Sequence, residues 1–473
     1  MIEWGRADSA EFRPVAAQEH QGIAPPSRSS AVAMLIVFVL LLFVIPSNVS
    51  IVGLGTLGRP SLLWGLVLAV WWALTHLQTR TKDVQPPAQP VRWALGAFII
   101  IVLVSFAAAM LRGQPADQVS PAMTAVVRVA SWSGVTLVAM DGIRTQGDIV
   151  RLVKVAVIAA GGMALLGYAQ FFTGSSLTEW IARIPGISFD WGGIDIRGAY
   201  IRPAGTATHP LEFVTSILAV LPIAITAAIT GGFRSTSRRR FLWWLVVVAI
   251  VGICLLSVSR SAMIGLLVVF VLLAPFVPSR YRWGGFFGGL VGIAVIVVAV
   301  PGVWRASLGL FADVSDDPGT ASRTGGLERL PEFISDSPVI GSGLGTFMSR
   351  YYVFDNQWAG LLVELGIAGT LSFIVLIACA VWSSAYAARR SPFPETKLLA
   401  GAILTGTVTI AVLFLFFDGL SFPIAAGLFF LFVGLSASLR RIAHSDVELQ
   451  NSMTSKAVNR RRVAGSPVDR LAQ

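Results

Sequence analysis

Charge is scarce in this chain. Only 13% of its 473 residues are Asp, Glu, Lys or Arg, and 55% are hydrophobic, whereas soluble domains carry roughly 25% charged residues. A water-facing surface cannot be built from so few charges, which excludes an ordinary soluble enzyme. Cysteine is nearly absent. Cys254 and Cys379 both lie inside apolar blocks, where they read as packing residues and not as a disulfide or a thiolate metal site. With four histidines and no His/Cys cluster there is no zinc pattern. There is no D-x-D of the kind carried by metal-dependent enzymes that use nucleotide sugars, and no P-loop. Asp316-Asp317-Pro318 reads as an acidic loop. The net charge of +11 does not point to nucleic acid, because the basic residues sit in short loops and tails between apolar blocks.

What the chain does have is length of hydrocarbon. Apolar blocks of about 17–25 residues match the length a helix needs to cross a bilayer. They predict spans at 31–50, 61–78, 93–111, 121–140, 150–172, 209–230, 241–257, 261–278, 284–304, 357–385, 397–417 and 421–439. The expected fold class is all-α, a polytopic membrane protein with about twelve transmembrane helices and a large outward-facing loop. The polar residues 1–30 read as a disordered cytoplasmic tail, with a retained signal anchor after it. Residues 31–440 form the transmembrane helical domain, and 441–473 read as a disordered basic cytoplasmic tail that attracts anionic headgroups. With the N-terminus cytoplasmic, the inner loops and tails hold about 25 of the 36 Lys and Arg, as the positive-inside rule requires. Both termini are then cytoplasmic, in an inner or plasma membrane. Two outward segments, 173–208 and 305–356, are too long for simple turns, and long loops of that kind are usually functional.

Ionisable residues near a membrane are the natural site candidates. The outward half collects Arg202, Arg260, Arg305, Arg323, Arg329 and Arg350, and guanidinium groups bind phosphate bidentately. Snorkelling to headgroups or surface ion pairing competes with that reading for each of them. Arg260 stands out, since Ser257, Ser259, Arg260 and Ser261 interrupt an apolar run and predict two helices joined by a tight outward turn. Arg128 lies within the fourth span, where an ion pair or a reach to the interface competes with a role in the site. Arg202 precedes Gly205, Thr206 and His209-Pro210, where a helix N-terminus favours anions. His209 is either a base or a satisfied interfacial histidine. Leu327, Leu330, Phe333 and Ile334 share one helical face and predict a short helix against the membrane, with Pro331 as a kink or restart. Pro338 to Gly345 reads as a tight turn and not as a dinucleotide loop. Asp355-Asn356 opens the tenth span, with Glu364 two turns in. Asp355 is either a helix cap or the base that takes a proton from a sugar hydroxyl.

Three of these patterns, in order, resemble the O-antigen ligase and O-antigen polymerase family. The first is Arg202-x-x-Gly205-Thr206 with His209-Pro210. The second is Ser259-Arg260-Ser261-Ala262 between two spans. The third is Arg323, then Pro338-x-x-Gly341-x-Gly343-x-Gly345-x-Phe347, then Asp355-Asn356 followed after nine residues by Gly366 and, after two more, Gly369. The family's ligases carry His-[Asn/Ser/Gln]-x9-Gly-x-x-[Gly/Thr/Tyr] in that last place, so Asp355 stands where they have His. The resemblance implies a glycosyltransferase that takes a glycan from a polyprenyl-diphosphate carrier, with no metal, nucleotide or other cofactor. It implies that Arg202 and Arg260 hold the diphosphate, with Arg323 beside them, and that residue 355 serves the acceptor hydroxyl. Asn356 and Glu364 support it, and His209 is the second candidate base. The partners are the lipid-linked donor, a glycan, lipid or other surface acceptor, and membrane lipid. A transporter or flippase of lipid-linked oligosaccharides shares the spans and arginines, but an inverted repeat is not evident. A purely structural or regulatory membrane protein is the third class. Polymerase and ligase remain undivided at this level.

Overall fold

The computed structural model describes residues 30–78, 89–189, 195–197, 200–233, 240–284 and 318–464. Twelve α-helices form among them: α1 (Ser30–Val44), α2 (Pro60–Gln78), α3 (Pro90–Leu111), α4 (Ala116–Gly142), α5 (Gln146–Thr173), α6 (Pro210–Thr230), α7 (Arg240–Leu256), α8 (Arg260–Leu273), α9 (Pro318–Ile334), α10 (Gln357–Arg390), α11 (Pro394–Leu413) and α12 (Pro423–Ala464). Six of them begin on proline, whose missing N–H is an orphan donor at the first turn anyway. A Thr145/Asp148 capping box starts α5, and Gly174 closes it in the left-handed region.

Among the described residues seven helices are long and apolar enough to cross a membrane: α3, α4, α5, α6, α10, α11 and the Pro423–Glu448 part of α12. Four shorter apolar helices, α1, α2, α7 and α8, accompany them. The expected span 284–304 lies almost entirely outside the described residues, as do the tail 1–29, Arg305, Asp316 and Asp317. The first expected span, 31–50, is shorter than read. Its helix stops at Val44 because Pro46 cannot continue it, and the chain turns into a short strand instead. The last helix runs on to Ala464, well past the apolar stretch.

Helix α6 and the apolar first part of α12 form the centre of the bundle and are almost wholly buried. An aromatic spine packs it: Trp132 stacks on Phe430 at 5.0 Å, Phe430 meets Phe429 at 5.1 Å, and Phe373 meets Phe429 at 5.1 Å. One end is tied by Asp141, which accepts hydrogen bonds from Trp72 Nε1 (2.8 Å) and Arg92 Nη2 (2.5 Å). The opposite end carries two small antiparallel ribbons. β1 (Val49–Ile51) pairs with β2 (Ile187–Phe189), and β3 (Asp195–Arg197) pairs with β4 (Tyr200–Arg202).

The expected span 357–385 is one helix in the sequence reading but broken in the structure. At Gly366 the backbone takes φ 64° and ψ −167°, a region essentially reserved for glycine. The gap is filled by the Pro338–Gly345 turn. Ser342 and Gly343 N–H groups donate to the Val363 and Glu364 carbonyls at 3.0 and 2.8 Å, and Ile367 and Ala368 N–H groups donate to the Pro338 and Val339 carbonyls at 2.9 and 3.0 Å. Those groups would otherwise be unpaired within the bundle. The approach is so close that a Cβ on Gly341 would lie 2.3 Å from Glu364 backbone atoms. The glycine pattern thus plugs a broken helix, which is a more specific role than a tight turn.

Candidate active site

The predicted site residues gather at the end of the bundle opposite Asp141. The segment 202–209 is held by one buried side chain. Gln170 accepts from the Ala204 and Gly205 N–H groups (3.1 and 2.7 Å) and donates to the Ser176 and Gly205 carbonyls (2.7 and 2.8 Å). Every hydrogen-bonding position of this amide is used. A second buried anchor, Glu212, accepts from Ser47 Oγ (2.9 Å), Thr208 N–H (2.9 Å) and Ile424 N–H (2.7 Å). It ties the α1–β1 turn, the start of α6 and the start of α12 together. Neither Gln170 nor Glu212 was singled out in the sequence, although a Glu in the first turn of an apolar helix is a legible signal of buried polar pairing.

Arg202 ends β4, and its Nη1 donates to Asp195 Oδ2 at 2.7 Å across the ribbon. His209 is the N-cap of α6, where its Nδ1 accepts the Leu211 N–H at 3.1 Å. A neutral imidazole that accepts at Nδ1 carries its proton on Nε2. Burial, and then the Arg202 cation, lower the His209 pKa from its ordinary value, opposed by Asp195 and Asp355. Its ring faces Phe422 at 6.0 Å.

Arg260 opens α8 directly after the turn predicted between α7 and α8. Val258 in that turn has φ 45°, a left-handed conformation unusual for a β-branched residue. Ser259 Oγ and Ser261 Oγ share a hydrogen bond of 2.8 Å beside it. Arg323 lies on α9. Of the apolar face of that helix, Leu330, Phe333 and Ile334 pack on Phe354, Ala359 and Val363 at the start of α10, so this part meets protein and not lipid. Leu327 remains exposed, and the helix runs through Pro331. Arg350 pairs with Asp117, and Arg329 lies over the Tyr352 ring at 5.7 Å, so both are occupied at the surface.

The cap reading of Asp355 is corrected by the structure. Asn356 is the N-cap of α10, accepting from Trp358 N–H (2.9 Å) and Ala359 N–H (3.4 Å). Asp355 lies half-buried one residue earlier. It lies in electrostatic reach of His209 on one side and Asp418 on the other. Asp418 sits in the turn between α11 and α12, which the apolar-block reading passed over. Gln357 clamps that turn: its N–H donates to the Phe414 and Phe417 carbonyls (2.9 and 3.1 Å), and its Oε1 accepts from Leu420 N–H (2.6 Å). Burial raises the Asp418 pKa, and its hydrogen bond from Ser421 and the Arg128 cation oppose that shift. Glu364 lies within electrostatic reach of Asp418 and Arg128, and its carboxylate is used by the turn. Its Oε1 accepts the Gly345 N–H at 2.9 Å, so it pins the glycine turn into the helix break.

The end of the bundle therefore holds Asp355, His209 and Arg260 at the starts of α10, α6 and α8, and Arg202 at the end of β4. Among the described residues no group of His, Cys, Asp and Glu is arranged to hold a metal ion. Residues 244–374 match the family model described as O-antigen ligase. The matched segment runs from α7 past the break in α10 and carries Arg260, Arg323, Asp355, Asn356 and Glu364, whereas Arg202 and His209 precede it. No curated protein matches the chain. The match gives residues 244–374 the character of an O-antigen ligase domain, and with the apolar helices it supports a multi-pass membrane enzyme of cell-surface glycan assembly.

Proposed function

We propose, from the premise of an O-antigen ligase domain, that this protein transfers a glycan from a polyprenyl-diphosphate carrier to an acceptor hydroxyl. The reaction takes place on the outer face of the cytoplasmic membrane, in a chain of twelve spans with both termini cytoplasmic. Arg202 and Arg260 hold the donor diphosphate, with Arg323 nearby on α9. The acceptor hydroxyl attacks the anomeric carbon, the bond to the diphosphate oxygen breaks, and Asp355 takes the hydroxyl proton. Charge grows on the leaving diphosphate, and preorganised guanidinium groups stabilise it as it forms. His209 is better suited to donate from Nε2–H than to accept a proton, because Nδ1 is engaged by Leu211 N–H. Asn356 and Glu364 act by positioning: one caps α10, the other seats the glycine turn.

The observation that carries this reading is the placement of Asp355. Asn356 is the N-cap of α10, and Asp355 beside it lies within electrostatic reach of His209 at the α6 start and of Asp418 in the α11–α12 turn. A carrier of lipid-linked oligosaccharides would share one feature, the broken helix α10. That break is filled by the backbone of the 338–345 turn, which favours a rigid support over an alternating pathway.

The test is the pool of short polyprenyl-diphosphate-linked units in cells. Loss of the protein raises the outward-facing pool. Arg260→Ala or Asp355→Asn, correctly inserted, fails to clear it, with a rate loss of about 10²–10³ for the arginine. Normal clearance by both variants refutes the assignment, and an inward-facing pool supports the carrier.

A further inference from the structure

At the end of the bundle that holds Asp141, remote from the candidate active site, two neighbouring arginines of α12 meet different surroundings. Arg441 turns to the end of α4 and donates through Nη2 to the Ile143 carbonyl. Arg440 turns to α10. Its guanidinium carbon lies over the Tyr386 ring at 4.7 Å and over the Trp382 ring at 5.4 Å. These rings are four residues apart and so share one face of α10. Cys379, a turn earlier on that face, is also within electrostatic reach of Arg440. No hydrogen bond or ion pair joins Arg440 to a described residue, and its Nη1 is sealed from solvent without an acceptor. The carboxylates of this end are taken by other groups: Asp141 by Trp72 and Arg92, Asp446 by Ser391 (3.2 Å), Glu395 by Gln146 (3.1 Å) and Glu448 by His444 (3.3 Å). A guanidinium withdrawn from water is costly unless an anion meets it, and two ring faces offset only part of that cost. The side chain is half-buried, so part of it stays open at this edge.

One turn beyond Tyr386, the exposed Arg389 and Arg390 end α10. In the other direction the same face is apolar. Ile367, Leu371, Ile374, Val375 and Trp382 are exposed, a stripe at helical spacing that runs about 22 Å at 1.5 Å per residue. Such a stripe by itself only faces hydrocarbon. This one ends where α12 lays a cation across it. An apolar track closed by a ring-held guanidinium, with two more arginines a turn further on, matches a lipid with an anionic head. We propose that this edge between α10 and α12 binds an anionic glycerophospholipid, with its chains along the stripe and its phosphodiester at Arg440. Trp382 then lies at the headgroup boundary, where amphipathic rings settle, and basic pockets between helices on the cytoplasmic side suit anionic heads. With both termini cytoplasmic, the lipid belongs to the inner leaflet. Nothing in this site depends on the transferase chemistry.

The experiment is native mass spectrometry of the full chain in neutral detergent. Dioleoylphosphatidylglycerol is compared with dioleoylphosphatidylcholine, which has the same tails and a zwitterionic head. Wild type retains phosphatidylglycerol about tenfold or more tightly, the scale of one charge-assisted contact. Arg440→Gln abolishes that preference. Arg440→Lys keeps part of it, because the charge stays while the planar stacking is lost. Arg151→Gln, which removes an exposed charge on α5 at the same end, leaves it intact. Trp382→Leu weakens phosphatidylglycerol binding without removing a charge, and replaces Arg440→Gln if size exclusion shows that variant to be misfolded. Equal retention of the two lipids by wild type overturns the proposal. So does a preference unchanged in Arg440→Gln, or in Trp382→Leu where the glutamine variant does not fold. An equal loss in Arg151→Gln marks a diffuse basic surface and overturns it as well. Displacement of phosphatidylglycerol by equimolar geranylgeranyl diphosphate assigns the edge to an isoprenoid carrier, against the proposal.

Discussion

Gly366→Ala is the sharpest test of the broken helix. The backbone there has φ 64° and ψ −167°, and forcing a side chain into such a region costs roughly 1–3 kcal/mol. The added Cβ would also lie 2.5 Å from the Val339 carbonyl atoms and 2.7 Å from the Gly341 nitrogen. These are backbone atoms in a hydrogen-bonded plug, so no side chain can swing aside, and overpacking of this kind adds about 1–3 kcal/mol. The sum is about 2–6 kcal/mol. With a midpoint shift of about 2–4 °C per kcal/mol in mid-sized domains, and less in a longer chain, the melting point falls on the order of 5–10 °C. The control is Gly162→Ala on α5, where a Cβ meets nothing within 4 Å. There the helix gains roughly 0.5–1 kcal/mol from removal of an interior glycine. Both variants are compared as fluorescent fusions heated in detergent and separated by size exclusion. Equal midpoints for Gly366→Ala and wild type would mean that α10 is continuous in the membrane and that the 338–345 turn does not fill a gap.

Two further outcomes follow from the same end of the bundle. Gln170→Ala removes four hydrogen bonds, three to the 202–209 segment and one to Ser176, at about 1–3 kcal/mol for each buried group left unpaired. It lowers both thermal stability and turnover, the latter through misplaced Arg202, whereas unchanged turnover in a folded variant argues that Arg202 acts independently of this segment. His209 has a lowered pKa in the folded protein because of burial and the Arg202 cation, so the unfolded chain binds the proton first as pH falls. The stability this residue contributes is present above about pH 6.5 and declines as pH drops from there towards its folded value. Its modification by diethyl pyrocarbonate, followed by peptide mass spectrometry, shows a midpoint below about 6.5 that rises in Arg202→Gln. A midpoint unmoved by Arg202→Gln separates the two groups.

Much of this protein is written along the chain because the bilayer imposes one rule on every span. An apolar block long enough to cross it must become a helix to satisfy its own backbone. Eleven of the twelve apolar blocks coincide with apolar helices, and the twelfth lies almost wholly outside the described residues. The tight turn before Arg260 and the helix start at Pro210 were legible for the same local reason, since serines interrupt one block and proline opens the other. Hydropathy is blind to what depends on contact between distant segments. The break at Gly366 looks like continuous span, because only the docking of residues 338–345 makes an unwound turn tolerable there. The cap of α10 went to Asn356 and not to Asp355 because their positions relative to the first turn differ by one residue. Asp418 and Gln170 carry no local motif, and Glu212 shows only as a carboxylate in the first turn of an apolar helix. Their roles arise where α5, α6, α11 and α12 converge and each buried polar group must find a partner from another helix. The sequence by itself determined the solvent, the helices and most of their boundaries, since these depend on near neighbours and on hydrocarbon thickness. The tertiary structure alone decided which polar groups face one another, since that depends on packing across long stretches of chain.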